Sequence, residues 1–322
     1  MKGITRSLSV LGAGAMLAFA TACGGGAGNV AGDGEIEQAD ITVGALPLAD
    51  YSTLWWAKEN GFFEAEGLNV TIEPVQGGPI GAQMVASGEL DFATSNTLNT
   101  ASATDSGMPI DTAVLVSGSA DNSIAMYVRE DSDIQSIEDL DGVTIGINNT
   151  NNVGDVTLRA LADDLGLDIT PTFVEVPFPE MLTGVQSGAI DVGYSPEPFL
   201  TSAWDAGMRQ IVDLTDGPNN QIATSNIVSG KAFLKQNPNT AAAFASAMYS
   251  ANADILVNEQ KWRDWLPSIA NLDEGTAQSI PMPVFFTEMD ESAIQHVADL
   301  MISQGIIEEG YDASEFIWSD GS

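Results

Sequence analysis

Cysteine, histidine and basic residues are scarce in this sequence. Its 322 residues include one cysteine, one histidine and ten lysines and arginines, against 45 aspartates and glutamates. One cysteine excludes an internal disulfide, and one cysteine with one histidine excludes a metal cluster built from those two residue types. The net charge of −35 predicts a surface that repels phosphate backbones, so we expect no nucleic-acid partner.

Apolar runs long enough to span a bilayer are also missing. Residues 8–22 form an uncharged run of about 15 residues, whereas a transmembrane helix needs roughly 20. This run follows Lys2 and Arg6 and ends immediately before Cys23, which is the arrangement of a secretory signal. The sequence therefore predicts export of the folded part of the chain.

The segment around Cys23 resembles a bacterial lipobox. The resemblance implies a signal peptide over residues 1–22, a lipidated Cys23 and a flexible, glycine-rich tether over residues 23–40. Ala20 stands where leucine is usual, so an ordinary cleaved signal with an incidental cysteine is the alternative. Cleavage would leave 8 basic against 45 acidic residues, a net charge of −37. We expect an extracytoplasmic monomer that is attached to the cell membrane only through its lipid.

Beyond the tether, short β-rich runs alternate with helical patterns, which is typical of parallel strands joined by crossover helices. One set of alternating elements occupies residues 41–122, and a second set of the same order and similar length occupies residues 123–225. Residues 226–322 are mostly helical. Extended runs at residues 123–128 and 222–228 are interpreted as two strands that cross between lobes. We therefore predict lobe I from residues 41–122 and 226–322, and lobe II from residues 123–225.

Individual elements follow from the same patterns. The predicted strands are residues 41–46, 68–75, 90–95, 111–118, 143–148, 172–177, 190–195 and 209–214. The predicted helices of the two sets are residues 52–63, 80–88, 98–107, 136–142, 153–167, 179–188 and 198–207. Several of these helices end at or just before a glycine, which can adopt the left-handed conformation of a helix cap.

Five motifs in this order carry a family resemblance. They are DYSTLWWAKENGFFEAEGLNV (50–70), SGELDFATSN (87–96), IQSIEDLDGVTIGI (134–147), SGAIDVGYSPEPF (187–199) and VADLMISQGIIEEG (297–310). Together they resemble the substrate-binding proteins of ABC importers for alkanesulfonates, nitrate and thiamine-pyrimidine precursors. The resemblance implies an α/β fold of the two-lobe, type II periplasmic-binding-protein class, with two crossover strands between the lobes. It also implies a small-molecule ligand held in the cleft and an ABC permease as partner.

The ligand-binding residues are predicted from the sheet pattern. In open α/β sheets, ligands bind beyond the carboxyl ends of the strands, where the loops converge. This rule selects polar, aromatic and glycine residues from both lobes, Phe178 among them. The candidates we choose are Asp50, Tyr51, Trp55, Gly78, Ser95, Asn96 and Asn122 from lobe I, and Asn149, Asn151, Asn152, Tyr194 and Glu197 from lobe II.

Each candidate also has a purely structural interpretation. Asp50 is placed to cap the helix that begins near Ser52, and the sequence NNTNN (148–152) is typical of turns and caps. Trp55 and its neighbour Trp56 are about 100° apart on a helix, so one is expected in the core and one towards the cleft. Glu197, between two prolines, is either a ligand contact or a solvated loop acid.

The chemistry of these candidates favours a neutral or cationic ligand. The selected loops contain no arginine or lysine, which an anion would require, and Asp155 in the following helix opposes an anion there. Carboxylates beside aromatic rings instead suit a nitrogenous, aromatic ligand such as a thiamine-pyrimidine precursor. A sulfonate or nitrate receptor of the same fold, using neutral donors alone, is the alternative.

Catalysis is the competing class of function. His296 lies in a C-terminal helical pattern, no phosphate-binding loop of the Walker type occurs, and the lysines fall within helices away from strand ends. We therefore predict a receptor without a cofactor, a metal or catalytic residues. An exported carboxylate-dependent hydrolase and a pyrimidine-forming enzyme are the alternatives, because turnover by a pair of carboxylates leaves no distinct sequence signature.

Overall fold

The computed structural model describes residues 34–270 and 272–319. The predicted signal peptide and Cys23 lie outside the described residues. At the end of the predicted tether, Glu37 accepts hydrogen bonds from the backbone N–H groups of Asn239 (3.2 Å) and Thr240 (2.9 Å). In the part of the chain that is described, none of the helices is long and apolar enough to cross a membrane.

The described residues form two sets of strands and helices. The strands are β1 (Asp40–Ala45), β2 (Asn69–Pro74), β3 (Phe92–Asn96), β4 (Ile110–Gly118), β5 (Ile124–Arg129), β6 (Thr144–Ile147), β7 (Thr172–Glu175), β8 (Val192–Pro196), β9 (Met208–Asp213), β10 (Ala223–Gly230) and β11 (Val284–Phe285). The helices are α1 (Ser52–Glu59), α2 (Phe62–Ala65), α3 (Gly78–Ser87), α4 (Thr97–Asp105), α5 (Val153–Asp164), α6 (Phe178–Ser187), α7 (Phe199–Asp205), α8 (Lys231–Gln236), α9 (Pro238–Val257), α10 (Glu259–Trp265), α11 (Pro267–Ala270), α12 (Glu274–Ser279) and α13 (Glu291–Ser303).

Two mixed sheets organise these strands. The first has the order β11-β4-β10-β3-β1-β2 and the second the order β7-β6-β8-β5-β9. In each sheet one strand runs antiparallel to both of its neighbours: β10 lies between β3 and β4, and β5 lies between β8 and β9. The other pairings within the two repeated units, such as β1 with β2 and β6 with β7, are parallel. The two sheets therefore share one plan, which confirms the predicted α/β class with two crossover strands.

The chain passes between the sheets through residues 119–123 and 214–222. These segments lie side by side, because the backbone N–H of Ser119 donates to the carbonyl oxygen of Ile222 (2.9 Å) and that of Leu214 to Ile124 (3.0 Å). Both sheets consequently direct the carboxyl ends of their parallel strands towards the cleft between the two lobes.

Aromatic packing fixes the long helix α9 against the first sheet. The rings of Phe92 and Phe244 stack with centroids 4.1 Å apart, and Phe63 from α2 stacks on Phe244 at 5.2 Å. All three side chains are fully buried, and burial of each stabilises the fold by ~1.5–3 kcal/mol. This packing holds α1 and α2, which follow β1, firmly against the sheet.

Helix α13 contacts both lobes. It packs on α4, which follows β3, and also on α5, which follows β6. Gln304, immediately after α13, donates through Nε2 to the carbonyl oxygen of Val156 in α5 (2.9 Å), and His296 Nε2 lies 2.7 Å from the carbonyl oxygen of Pro218. The C-terminal part of the chain therefore joins the two lobes as well as packing on the first.

The structure corrects several predicted elements. The single helix predicted over residues 52–63 is divided in two at Gly61, whose φ of 80° interrupts the helical backbone. Residues 136–142 do not form an α-helix but contain one turn of 3₁₀-helix, Ile137–Asp139. The short elements α12 and β11 were not predicted, because neither is long enough to produce a clear hydrophobic period.

Candidate functional site

Most of the predicted ligand-binding residues do meet at the carboxyl ends of the strands. Asp50 and Tyr51 lie in a short 3₁₀-helix after β1, and Ser95 and Asn96 end β3. From the second sheet come Asn152, which precedes α5, and Tyr194 and Glu197, at and beyond the end of β8. We call these side chains, with Gly78, the cleft cluster. It has one wall from each lobe.

Hydrogen bonds order the wall of lobe I. The Tyr51 hydroxyl donates to the carbonyl oxygen of Ser95 (2.7 Å), and the Ser95 hydroxyl accepts from Asn99 Nδ2 (2.9 Å) and from the Thr100 hydroxyl (3.2 Å). Gly78 begins α3 against this group, since a Cβ there would lie 3.3 Å from the Ser95 hydroxyl oxygen. The donors and acceptors of this wall are therefore largely engaged with one another.

The wall of lobe II is ordered by one buried carboxylate. Asp155, fully buried in the first turn of α5, accepts hydrogen bonds from the backbone N–H groups of Asn151 (2.9 Å) and Asn152 (2.8 Å). Its third partner is Arg159, whose guanidinium donates to Asp155 Oδ2 (2.9 Å) and lies over the ring of Phe173. The sequence NNTNN thus does form a turn and a helix cap, as its structural interpretation predicts.

A direct hydrogen bond joins the two walls. Asn96 Nδ2 donates to Asn152 Oδ1 at 3.0 Å, although Asn96 ends a strand of the first sheet and Asn152 lies in the turn after a strand of the second. Both asparagines are also N-caps: Asn96 Oδ1 accepts from the backbone N–H of Asn99 (2.7 Å), and Asn152 Oδ1 from that of Val153 (2.8 Å). The walls of the cleft are therefore in contact in this structure.

Two carboxyl groups from opposite walls, those of Asp50 and Glu197, lie close enough for the charge of Glu197 to affect Asp50. Burial, and secondly the charge of Glu197, raise the pKa of Asp50 from 3.8 to about 7. Burial also raises the pKa of Glu197, while hydrogen bonds from the backbone N–H (3.1 Å) and hydroxyl (3.0 Å) of Thr201 act against that rise. In the described part of the chain, no group donates a hydrogen bond to the side chain of Asp50, and neither carboxyl belongs to an ion pair.

The hydroxyl groups of Tyr51 and Tyr194 both lie within range of the Asp50 charge. Burial, followed by the charge of Asp50, raises the pKa of both Tyr51 and Tyr194, so both are neutral donors at physiological pH. Only 3% of Tyr194 is exposed, and among the described residues its hydroxyl has no hydrogen-bond partner. Asp50 and Tyr194 thus offer one acceptor and one donor that the protein itself does not use.

An aromatic group borders the same wall. Phe178 packs against Tyr194 with ring centroids 5.7 Å apart, and it stacks on Phe199 at 5.5 Å. The strand-end rule selects Phe178, whereas Phe199 is missed because it lies inside a helix, α7, rather than on the loop before it. Its position at the end of SGAIDVGYSPEPF is the signal that points to it.

Four predicted residues are not linked to the cleft cluster. Asn122 is exposed and contacts Thr215 and Gln210 beside β9, and Asn151 is exposed in its turn with a φ of 53°. Asn149 is half-buried, and Trp55 is half-buried against the core of lobe I. A ligand contact stays a prediction for these four residues and equally for the eight that form the cleft cluster.

The neighbouring tryptophan and the histidine have structural surroundings. Trp56 is fully buried, and its indole N–H donates to Asp254 Oδ2 (2.9 Å), so it is the core residue of the tryptophan pair. His296 is exposed on α13 beside Pro218. Within residues 34–270 and 272–319, no group of three or more histidine, cysteine, aspartate or glutamate side chains is arranged to hold a metal ion.

Two surface concavities share no residue with the cleft cluster. One of about 640 Å³ lies beside Tyr311 and Asp312, and one of about 440 Å³ lies beside Arg159 and Phe173. The second contains the cation nearest in sequence to NNTNN, but its guanidinium is already engaged by Asp155 and Phe173. Neither concavity supplies a free cation to the cleft.

Two mixed sheets, two connecting segments and a polar cluster with one wall from each lobe define the two-lobed periplasmic-binding-protein fold. The chain belongs to the NMT1/THI5-like family, which matches residues 49–261. No curated protein is significantly similar to it in sequence.

Solved structures show the same fold at low sequence identity. The periplasmic aliphatic sulphonate binding protein SsuA from Escherichia coli is 17% identical, with 89% of this chain and 94% of that chain covered and a TM-score of 0.71. SsuA from Xanthomonas axonopodis pv. citri, bound to MOPS, is 15% identical over 88% of this chain and 99% of that chain, with a TM-score of 0.73. The periplasmic nitrate-binding protein NrtA from Synechocystis PCC 6803 is 14% identical over 88% of this chain and 86% of that chain, with a TM-score of 0.70.

Proposed function

We propose that this protein is the extracytoplasmic substrate-binding component of an ABC importer, and that it captures a small cationic or neutral nitrogenous molecule between its two lobes. The observation that carries the ligand class is the pair of carboxyl groups, Asp50 and Glu197, which approach from opposite walls beside Tyr51 and Tyr194. The fold neighbours whose names state that they bind sulphonate or nitrate support the class of protein.

The electrostatics of the cleft cluster support a cationic ligand. With the lobes in contact, the two carboxyl groups share a partly desolvated space, where the charge of Glu197 opposes ionisation of Asp50. A protonated amine between them would favour the ionised form of both carboxyl groups and would donate a hydrogen bond to Asp50, while Phe178 and Phe199 offer an aromatic surface to a ring. An aminopyrimidine of the thiamine-precursor type meets all of these requirements.

An anion of the sulfonate or nitrate type is the second candidate. The observation in its favour is the unused Tyr194 hydroxyl, together with Asp50, which in its protonated form is a hydrogen-bond donor. The two candidates differ in the sign of their pH dependence. Because the pKa of Asp50 is about 7, a cation should bind more tightly above that pH and an anion more tightly below it.

Lobe closure is the proposed mechanism of capture. Contacts from both walls exist together only in the closed arrangement, so a ligand that bridges them shifts the population towards it. The closed complex would then deliver its ligand to a permease in the cytoplasmic membrane. We propose that residues 41–122 and 226–322 form one of these lobes and residues 123–225 the other. We also propose that the chain acts as a monomer tethered through a lipid on Cys23.

A thermal-shift panel tests the ligand class. Wild-type protein would be mixed with an aminopyrimidine, choline, taurine or nitrate, one pH unit below and one above the pKa of Asp50. We expect the permanently charged choline to stabilise the protein more strongly at the higher pH, and the aminopyrimidine to stabilise it most of all. Asp50→Asn should weaken its binding roughly tenfold to hundredfold, and Glu197→Gln less, because Thr201 already engages Glu197.

The same panel includes a control variant and an outcome that would contradict the proposed ligand class. Glu130→Gln changes an exposed acid on the surface of lobe II and should bind as the wild type does. Stabilisation by taurine or nitrate alone, strongest at the lower pH, would establish the anion receptor instead. Mass spectrometry of the recovered ligand separates receptor from enzyme, since a receptor returns the ligand chemically unchanged.

A further inference from the structure

A hydrogen bond between Asn96 and Asn152 joins the two lobes directly. It joins the end of β3 in the first sheet to the turn before α5 in the second, and the separation from Nδ2 to Oδ1 is 3.0 Å. Asn152 is 6% exposed and Asn96 is half-buried, so the bond is partly shielded from water. A hydrogen bond between two lobes at this point favours the closed arrangement over the open one.

The two helix caps fix the direction of this bond. Asn96 Oδ1 is occupied by the backbone N–H of Asn99, so only the amide N–H group of Asn96 is left to face the other wall. Asn152 Oδ1 accepts from Val153 N and still has a lone pair for Asn96. A flip of either amide would lose its cap, so Asn96 is the donor and Asn152 the acceptor.

The caps also lower the entropic cost of the bond. A free asparagine would have to be ordered for the lobes to join, but both side chains are already held by their own helices. Asp155 adds to this order, because it binds the backbone N–H groups of Asn151 and Asn152 and so fixes the turn. Closure therefore brings together two groups that are oriented before they meet.

We propose that Asn96 and Asn152 form a latch between the lobes, and that they set the affinity for ligand as positioning residues rather than by contacting it. The proposal rests on lobe closure as described under the proposed function. A ligand that binds only the closed state has its apparent dissociation constant divided by the fraction of protein that is already closed. One hydrogen bond of this kind changes the closed-to-open ratio roughly 2- to 10-fold.

The latch acts against the carboxyl pair. Asp50 and Glu197 oppose closure when no ligand is bound, because closure brings their carboxyl groups into one partly desolvated space. The hydrogen bond between Asn96 and Asn152 favours closure whatever the pH. The ligand-free protein would thus be balanced between the two states. A cationic ligand removes the opposing effect and leaves the latch in place.

Because Asn96 is the donor and Asn152 the acceptor, variants can be chosen that keep the helix cap and change only one side of the hydrogen bond. Asn96→Ser keeps an N-cap for α4 but is too short and lacks the amide donor. Asn96→Asp also keeps the cap, but it presents a carboxylate oxygen to Asn152 Oδ1. Asn152→Asp is the matched control, since a carboxylate caps α5 equally well and still accepts from Asn96 Nδ2.

Small-angle X-ray scattering of the ligand-free proteins is the measurement. We expect wild type and Asn152→Asp to share the smaller radius of gyration, and Asn96→Ser and Asn96→Asp to shift towards a larger one, with unchanged circular dichroism. The latch would be disproved if Asn96→Ser scattered as the wild type does, or if Asn152→Asp expanded as much as Asn96→Ser. A wild-type protein that is already fully open would disprove it too. Because no ligand is added, these results are independent of whether the proposed ligand class is correct.

Discussion

Asp50 is a residue at which ligand recognition and stability oppose each other. Its pKa of about 7 lies above the ordinary 3.8, so between these values the folded protein holds a proton that the unfolded chain has released. A state that binds more protons loses stability as protons are removed. The contribution of this group to the free energy of unfolding therefore falls as the pH rises from about 4 to about 7, by up to ~1.4 kcal/mol per pH unit.

Replacing the carboxyl group of Asp50 should remove this dependence of the free energy of unfolding on pH. In urea titrations of the ligand-free protein, we expect Asp50→Asn to become more stable relative to wild type as the pH is raised through this window. Glu130→Gln, an exposed acid, serves as the control and should follow the wild-type curve. Parallel curves for wild type and Asp50→Asn would show that the ionisation of Asp50 does not depend on folding.

At the scale of the element, the start of α5 depends on one side chain. Asp155 accepts hydrogen bonds from two backbone N–H groups and one guanidinium N–H, and its side chain is fully buried. An asparagine at this position has one acceptor oxygen in place of two, so a buried N–H would lose its partner. Leaving a buried donor unsatisfied costs about 1–3 kcal/mol.

We therefore expect Asp155→Asn to lower the free energy of unfolding by about 1–3 kcal/mol. The control is Asp163→Asn, on the exposed side of the same helix, which should change stability by less than about 0.5 kcal/mol. Guanidinium denaturation followed by circular dichroism measures both variants. Equal stability of the two would mean that the turn over residues 148–152 does not need the buried carboxylate.

The elements themselves were largely predictable because each carries its own period. The strand predicted over residues 111–118 is β4, Ile110–Gly118, and the helix predicted over 179–188 is α6, Phe178–Ser187. Errors occur where the determinant is local backbone geometry, as at Gly61, or where the element is shorter than one period, as in β11. Hydrophobic periodicity contains no information about either.

At the scale of the whole molecule, the sequence located the cleft but not its contacts. The carboxyl ends of strands identify Asn96 and Asn152 separately, because each follows its own strand. The hydrogen bond between them depends on how the two lobes meet, because the two residues are 56 positions apart in the chain. The local sequence pattern around each residue contains no information about their separation in space. The two-lobe contact of α13 escaped prediction for the same reason, since Gln304 and Val156 are 148 residues apart.

The net charge of the whole chain leads to a prediction about salt. With 45 acidic and ten basic residues, and with four ion pairs among the described residues, most carboxylates repel one another without a nearby cation. Raising sodium chloride from about 0.1 M to about 1 M shortens the Debye length from about 10 Å to about 3 Å. Because the compact state suffers more from this repulsion than the extended chain does, we expect the unfolding temperature to rise with salt. The gain should shrink near pH 4, where carboxylates take up protons, and an equal gain at pH 4 and pH 7 would show that the acidic surface is not its cause.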